Sequence, residues 1–232
     1  MSEPFVFSPP APTSVPVLGG GLFPVRRVFC IGRNYADHVR EMGGDPRSDP
    51  PVFFCKPADA VVPGGADAPY PPGTDSLHFE GELVIALQRG GTQLSSREEA
   101  GALIFGQGCG CDLTRRDLQD AAKSAGAPWD VAKGFDASAP VGMLAPLAEV
   151  SPNQLDDARL ITLVNGEERQ NEPLTSMIWT VPEIIIALSQ LFQLQAGDLI
   201  FTGTPEGVGP LRRGDQVRVR IGPLPDLSFR VR

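Results

Sequence analysis

The sequence predicts a β-rich α+β fold with few, short helices. The chain has 232 residues, of which 41% are hydrophobic, so it is long enough for one large domain with a buried core. It contains 26 glycines and 24 prolines among its 232 residues, or about 22%, whereas the two residues together average roughly 12%. Short apolar runs alternate with these turn residues along most of the chain, which is typical of many short strands.

The first half of the chain alternates predicted strands with loops. Residues 1–24 are rich in Pro and Gly and predict an extended arm, with one strand, packed on a main domain at 25–232. A short helix is predicted at 35–42, where Asn34 or Asp37 can act as the N-cap. The Pro-, Gly- and Asp-rich stretch 57–76 predicts a loop. Apolar runs predict strands at 25–31, 51–56 and 78–87.

The second half adds helices and stronger turn signals. Ser96 is a good N-cap for a helix at 96–103, and Thr114 with Asp117 is a capping-box variant that opens a helix through Lys123. Gly126-Ala127-Pro128 is expected to end that helix. The dipeptide Asn165-Gly166 between two strand-like runs predicts a hairpin. Apolar residues at helical spacing predict a third helix at 181–192, and further strands are predicted at 104–111, 198–202 and 216–221.

Composition and charge exclude several classes of function. The formal net charge is −8 at pH 7, and no cluster of Lys and Arg offers the basic face of a nucleic-acid-binding protein. No apolar stretch approaches the roughly 18–20 residues that cross a bilayer, so we expect no membrane helix. The N-terminus lacks a signal or transit pattern, so we expect a cytoplasmic protein with reduced cysteines. Cys109 and Cys111 lack the spacing and second ligand pair of a zinc site, which favours free core thiols.

Three carboxylates are candidates for a metal site. Glu80 and Glu82 are two apart on a predicted strand, so both side chains leave the same face. Asp112 ends another predicted strand, and carboxylates without nearby Cys or His ligands suit a hard cation such as Mg²⁺ or Mn²⁺. Taken alone, the same Glu-x-Glu spacing fits a solvated strand face somewhat better than a metal site.

Other residues raise the weight of the metal interpretation. His38 and Glu41 are three apart on the predicted helix and can hydrogen-bond, which is how a general base is oriented, although an ordinary surface helix has such pairs too. Lys133 lies in an otherwise apolar, strand-like stretch and either snorkels to solvent or points into a polar cavity. The loop 202–209 offers backbone N–H groups and hydroxyls for an anion, or is a long turn.

Six motifs in order make the chain resemble the fumarylacetoacetate hydrolase family over about residues 25–225. These motifs are residues 31–38 (IGRNYADH), 78–82 (HFEGE), 112–119 (DLTRRDLQ), 133–135 (KGF), 164–166 (VNG) and 202–209 (TGTPEGVG). Within the family, the arm, the segment FPVRR and the stretch CKPADAVV resemble the bacterial fumarylpyruvate hydrolases of gentisate-type aromatic catabolism.

The resemblance implies a mixed β-sandwich roll that forms a homodimer. It also implies one Mg²⁺ or Mn²⁺ per subunit, held by Glu80, Glu82 and Asp112. The activity it implies is hydrolysis of the C–C bond of an acylpyruvate, a 2,4-dioxo acid, with fumarylpyruvate converted to fumarate and pyruvate.

The resemblance assigns roles to five further residues. His38 and Glu41 would be the dyad that activates water. Lys133 and Gln119 would contact the 2-oxo acid end of the substrate, and Thr204 would line the carboxylate pocket.

The contact for the distal carboxylate of the substrate is less determined by the sequence. Arg33, Arg115 and Arg116 are candidates, and we favour Arg33 because it lies beside the expected base, although surface pairing is the commoner fate of an arginine. Two other enzymatic interpretations stay open on the same metal site, namely an oxaloacetate decarboxylase and a hydroxy-dienoate isomerase. A binding module would have no reason to assemble these residues together.

Overall fold

The structure, a computed structural model, describes residues 5–35 and 50–232. The helices among these residues are short: α1 (Arg97–Gly101), α2 (Arg116–Ala125), α3 (Asp130–Lys133) and α4 (Val181–Leu191). The strands are β1 (Ser14–Pro16), β2 (Leu22–Pro24), β3 (Arg27–Gly32), β4 (Val52–Lys56), β5 (Val61–Pro63), β6 (Leu77–Phe79), β7 (Gly81–Leu87), β8 (Ile104–Cys111), β9 (Thr114–Arg115), β10 (Ala139–Val141), β11 (Ala145–Pro146), β12 (Arg159–Val164), β13 (Glu167–Pro173), β14 (Asp198–Phe201), β15 (Gly209–Pro210), β16 (Gln216–Ile221) and β17 (Leu227–Arg230).

An eight-stranded mixed sheet forms the centre of the fold. Its order is β4-β3-β14-β7-β8-β10-β5, and β11 also pairs with β8. The pairs β3–β14 and β5–β10 are parallel, whereas the other pairs are antiparallel. The predicted mixed, β-rich α+β fold with few helices is therefore confirmed.

Two smaller sheets pack around this centre. The four-stranded sheet β13-β12-β16-β17 contains the hairpin that turns at Asn165-Gly166, where both residues have positive φ. The three-stranded sheet β15-β6-β9 holds the strand that leads into the central strand β7. These small sheets therefore place residues of distant segments around one end of β7 and β8.

Hydrophobic residues fill both faces of the central sheet. Leu83 and Ile85 of β7 belong to the larger apolar cluster, which also includes residues of β12 and β16, whereas the alternate residue Val84 belongs to a second cluster. The second cluster contains Val15 and Phe23 from the β1–β2 hairpin. Residues 5–24 therefore contribute two strands rather than the one predicted for the arm, while the side chains of residues 5–7 are exposed.

Several further local predictions are wrong. The stretch 57–76, predicted as a loop, contains strand β5, which pairs with β10 in the central sheet. The strand predicted at 78–87 is interrupted at Glu80, because β6 and β7 belong to different sheets. Thr114 belongs to β9 and the helix begins at Arg116, since the Asp117 carboxylate accepts hydrogen bonds from Thr74 and Asp75 instead of completing a capping box. Lys133 is the last residue of helix α3 rather than part of a strand.

Several other predictions are confirmed. Gly126 ends α2 in the left-handed conformation, and the helices predicted at 96–103 and 181–192 are present with shorter bounds. The four cysteines are free thiols, and burial raises the pKa of Cys109 to about 12. Within residues 5–35 and 50–232, no helix is long and apolar enough to cross a membrane.

The short helix predicted at 35–42 falls almost entirely outside the described residues.

Candidate active site

The three predicted carboxylates come together at one end of the β7–β8 pair. Glu80 joins β6 to β7, Glu82 is the second residue of β7, and Asp112 directly follows β8. The register places Glu82 opposite Gly110, and the backbone N–H of Asp112 donates to the carbonyl of Glu80 at 2.8 Å. Each carboxylate is 5% exposed or less, and one oxygen from each lies within 4.8 Å of the others. Burial excludes the solvated-face interpretation.

Two of these carboxylates are paired with buried cations. Lys133 Nζ donates to Glu80 Oε2 at 2.7 Å, to Asp112 Oδ2 at 2.8 Å and to Thr114 Oγ1 at 2.7 Å. Arg116 is paired with the other oxygen of Glu80. Burial alone would lower the pKa of Lys133, but Asp112 and Glu80 raise it above its ordinary value. Lys133 is therefore a permanent positive charge inside the site.

Lys56 is a third buried cation, which the sequence analysis did not single out. Its Nζ lies 2.7 Å from Asp112 Oδ1 and donates to the backbone carbonyls of Leu113 and Lys133. The side chain is fully buried at the end of β4. A lysine that ends an apolar strand, as in PVFFCK, was the available signal, since a buried ammonium requires a partner.

Glu82 is the carboxylate of the three that forms no ion pair within the described residues. Its Oε2 accepts from the backbone N–H of Gly203 at 2.6 Å, and no cation among the described residues forms an ion pair with it. Burial raises the pKa of Glu82 well above its ordinary value, and the charges of Asp112 and Glu80 raise it further. A buried cluster of three carboxylates, one of which has no ion pair, fits a hard divalent cation.

Two glycines make this arrangement possible. Gly203 has a φ of +92°, and a Cβ there would lie 2.7 Å from the Cβ of Asn34, so glycine is needed to turn its N–H toward Glu82. A Cβ on Gly81 would lie 2.0 Å from Thr162 Oγ1, which explains a glycine between the two glutamates.

Gln170, on β13, links the two segments that carry the site. Its Oε1 accepts from the backbone N–H of Gly81 at 3.0 Å, while its Nε2 donates to Thr204 Oγ1 at 2.8 Å and to Pro205 O at 2.9 Å. The side chain is buried and its hydrogen bonds are made. No motif in the sequence marked Gln170, because its hydrogen-bond partners lie 89, 34 and 35 residues away along the chain.

The carboxylates line a small cavity that also contains most of the predicted substrate contacts. Arg33, Arg116, Gln119, Lys133 and Thr204 all line it. Arg116 and Gln119 are buried and hydrogen-bonded to each other, whereas Arg33 is exposed and has a φ of +62°. Two aromatic residues and a further lysine complete the wall; they are Phe54, Trp129 and Lys123, none of which the sequence analysis proposed as site residues.

The segment that precedes residue 36 is attached beside this cavity. Asn34 Oδ1 accepts from the backbone N–H of Trp179 at 2.7 Å and its Nδ2 donates to Thr202 O at 2.7 Å, so its side chain is not free to cap a helix. His38 and Glu41 lie outside the described residues, and their roles stay predictions. Burial and, to a smaller extent, the charge of Arg116 lower the pKa of the other histidine, His78, to about 4, so it is neutral at pH 7.

Sequence comparison matches residues 27–232 to the family described as fumarylacetoacetate (FAA) hydrolase C-terminal. The chain belongs to the fumarylacetoacetate hydrolase family. Among solved structures of this family, fumarylpyruvate hydrolase from Pseudomonas aeruginosa, crystallised with Mn²⁺ and pyruvate, superposes with a TM-score of 0.94 and 46% identity, covering 98% of this chain and 99% of that one. The mixed, sheet-dominated fold is thus the fold of the family.

Two other members carry different activities in their names. The mitochondrial oxaloacetate tautomerase FAHD1 of Bos taurus is 40% identical over 209 residues, which are 89% of this chain and 91% of that protein. The 5-carboxymethyl-2-hydroxymuconate delta-isomerase of Mycobacterium smegmatis superposes with a TM-score of 0.79 and 32% identity, covering 90% of this chain and 80% of that one. The family is therefore established, whereas its members differ in the reaction they catalyse.

Proposed function

We propose that this protein is a metal-dependent hydrolase that cleaves the bond between C3 and C4 of an acylpyruvate, with fumarylpyruvate as the substrate in aromatic catabolism. The observation that carries the proposal is the buried triad Glu80, Glu82 and Asp112, set with Lys133 and Arg116 in one cavity. The extent of the similarity to a fumarylpyruvate hydrolase also supports it. By the same resemblance, we expect a cytoplasmic homodimer.

The triad would hold one Mg²⁺ or Mn²⁺ per subunit. All three donors are carboxylates, which both ions prefer, and Glu82 needs a nearby positive charge. When bound, the ion supplies Lewis acidity to the 2-oxo acid end of the substrate.

The protein's own residues would carry the proton transfers and the charge. His38, oriented by Glu41, takes a proton from water as the oxygen attacks the C4 carbonyl. The C3–C4 bond then breaks, its electron pair leaves as the enolate of pyruvate, and protonation of C3 gives pyruvate beside the carboxylate of the acyl group. The positive charges of Lys133 and Arg116 in the buried cavity stabilise this negative charge as it develops.

Release of pyruvate tests the proposal directly. Fumarylpyruvate, maleylpyruvate, acetylpyruvate and oxaloacetate are each incubated with the protein in Mg²⁺ and in chelator, and pyruvate is followed in a coupled assay. We expect metal-dependent release from the acylpyruvates, with fumarylpyruvate the best substrate. Metal-independent release, or none from any acylpyruvate, would contradict the proposal.

The role of the dyad has its own test. His38→Ala should abolish hydrolysis, because His38 would be the base, while Mn²⁺ and oxalate, a mimic of the pyruvate enolate, still bind in titration calorimetry. Full turnover in the variant would show that another group is the base.

A second candidate activity is conversion of oxaloacetate, by tautomerisation or decarboxylation. The name of the 40% identical Bos taurus relative favours it. Such a reaction needs the metal and Lys133 but no water-activating dyad. Decarboxylation would appear in the same panel as release of pyruvate from oxaloacetate that survives His38→Ala. Tautomerisation releases no pyruvate, so it would be followed by the change in absorbance of the enol form of oxaloacetate. In both cases no pyruvate would be released from acylpyruvates.

A further inference from the structure

One face of helix α2 runs along the cavity from its inner end to its outer end. Arg116, Gln119 and Lys123 follow one another at spacings of three and four residues, so they share a face, and all three line the cavity. Arg116 meets the carboxylate cluster through Glu80. Lys123 lies two turns further along the same face.

The cations at the inner end are already engaged with protein carboxylates. Arg116 pairs with Glu80, and Lys133 lies within 2.8 Å of both Glu80 and Asp112. Lys123 is different, since the carboxylate paired with it is Asp120, 4.0 Å away on the same helix and with a 61% exposed side chain. Such an exposed pair contributes little, so the Lys123 ammonium is available to a ligand.

An aromatic wall separates Lys123 from the carboxylate cluster. The rings of Phe54 and Trp129 pack edge to face with centroids 5.8 Å apart, and both line the cavity. Lys123 Nζ lies 5.6 Å from the Trp129 ring centroid, and its side chain is only 23% exposed. The wall therefore offers apolar ring surface beside a cation.

The length of the helix face sets the length of a matching ligand. Seven residues of helix rise roughly 10 Å, and a hydrogen bond of about 3 Å from Lys123 to a carboxylate oxygen leaves roughly 7 Å for the ligand itself. A seven-carbon dianion such as fumarylpyruvate separates its two carboxyl carbons by six bonds, or roughly 7 Å when extended. A four-carbon dianion such as oxaloacetate spans only about 4 Å and does not reach both ends.

We propose that Lys123 binds the distal carboxylate of a long, planar dianionic acylpyruvate whose conjugated chain lies against Phe54 and Trp129. This inference rests on the proposed function, since it names the substrate class of the same cavity. It assigns to Lys123 the contact for which the sequence favoured Arg33, with Arg115 and Arg116 as the other candidates. Lys123 is then a specificity residue, needed for dianionic acylpyruvates and not for the chemistry itself.

The test compares two substrates that differ in the distal carboxylate. Fumarylpyruvate has one and acetylpyruvate has none, so Lys123→Met should raise KM for fumarylpyruvate by roughly 10- to 100-fold, the expected loss of one charge-assisted hydrogen bond. We expect kcat for fumarylpyruvate and both constants for acetylpyruvate to change by less than about twofold. Lys123→Arg should restore most of the affinity, and Asp120→Asn is the control for loss of the helix-surface pair.

Three results would overturn the proposal. One is an equal loss with both substrates, a second is an unchanged KM for fumarylpyruvate, and a third is an equal effect of Asp120→Asn. Lys123→Met keeps the aliphatic contact with Trp129, and thermal melting verifies that each variant is folded.

Failure of the proposed function would be distinguishable from failure of this inference. If the wild-type protein hydrolyses neither acylpyruvate, the proposed function is wrong, and fumarylpyruvate and acetylpyruvate become ligands in titration calorimetry with Mg²⁺. Lys123→Met must then weaken binding of fumarylpyruvate alone. Equal dissociation constants in the wild type and the variant, or no binding of either compound, would overturn the role of Lys123.

Discussion

Two cavities lie at strand β7, and consecutive residues of the strand line different ones. Glu82 lines the acidic cavity, whereas Leu83 and Ile85 line an apolar cavity of about 300 Å³. Neighbouring side chains of a strand point to opposite faces of the sheet, so the single strand β7 contributes lining residues to both cavities. Leu155 and Met177 are among the mostly apolar residues that complete the second cavity.

The comparison shows that buried charge, and not cavity size, marks the candidate site. The acidic cavity is the smaller of the two, yet it holds the cluster of metal-type ligands found within residues 5–35 and 50–232. Placing three carboxylates in a protein interior costs free energy that nearby cations must offset. The apolar cavity carries no comparable cost, because most of its lining residues are apolar.

Among the substitutions at these two cavities, removing the Glu82 carboxylate should have the largest effect on turnover. Glu82→Gln keeps the shape but removes a metal ligand, so we expect turnover to fall at least 100-fold and Mn²⁺ affinity at least tenfold, measured by steady-state kinetics and titration calorimetry. Unchanged Mn²⁺ affinity would show that Glu82 is not a ligand.

The same variant should change the pH dependence of stability in the metal-free protein. Burial raises the pKa of Glu82 above its ordinary value of 4.5, so the folded protein holds this proton more tightly than the unfolded chain does. Stability is therefore lost as the pH rises from 4.5 through the folded pKa. Chemical denaturation in chelator should show this loss in the wild type and a flatter profile in Glu82→Gln. Identical profiles would contradict the raised pKa.

Breaking the buried charge network should combine loss of turnover with loss of stability. Lys133→Met leaves Glu80 and Asp112 short of a partner, and removing one member of a buried pair typically costs about 3–5 kcal/mol. Arg97→Met is the matched control, because it breaks the exposed pair with Glu183 and should cost less than about 1 kcal/mol with turnover retained. Urea denaturation measures the free energy of unfolding of both variants. Equal losses of stability in the two would show that the buried network contributes no more than a surface ion pair.

An intermediate effect is expected where a neutral side chain only positions the site. Gln170→Leu removes the acceptor of the Gly81 N–H and the donor to Thr204 and Pro205, so we expect a loss of about 1–3 kcal/mol of stability. We also expect kcat to fall about tenfold, while Mn²⁺ affinity changes little. The exposed neighbour Asn171→Ala is the control. If that substitution lowers kcat equally, the effect belongs to the strand and not to Gln170.

The smallest effect on turnover is expected in the apolar cavity. Leu155→Ala enlarges a cavity that lies on the other face of β7, so it should cost about 2 kcal/mol of stability and leave kcat and KM unchanged. A specific loss of turnover at full folding would show that the two cavities are coupled through β7.

The sequence by itself determined most strands, the helices with clear caps, and the chemical character of the site. Glu80, Glu82 and Asp112 were recognisable because local spacing and strand ends report which residue types lie together, and the family motifs occur in order along the chain. Short apolar runs and turn residues are local signals, so the hairpin at Asn165-Gly166 and the left-handed end of α2 at Gly126 were predictable.

Only the tertiary structure decided which distant residues complete the site. Lys123 and Gln170 carry no local signal, and the strand end at Lys56 does not reveal its partner, because each residue acquires its role from groups that the fold brings near. The interruption at Glu80 and the helical position of Lys133 likewise depend on contacts between sheets and on the buried charge balance. Local periodicity reports the face on which a side chain lies, whereas the charge that faces it across the fold is set by long-range packing.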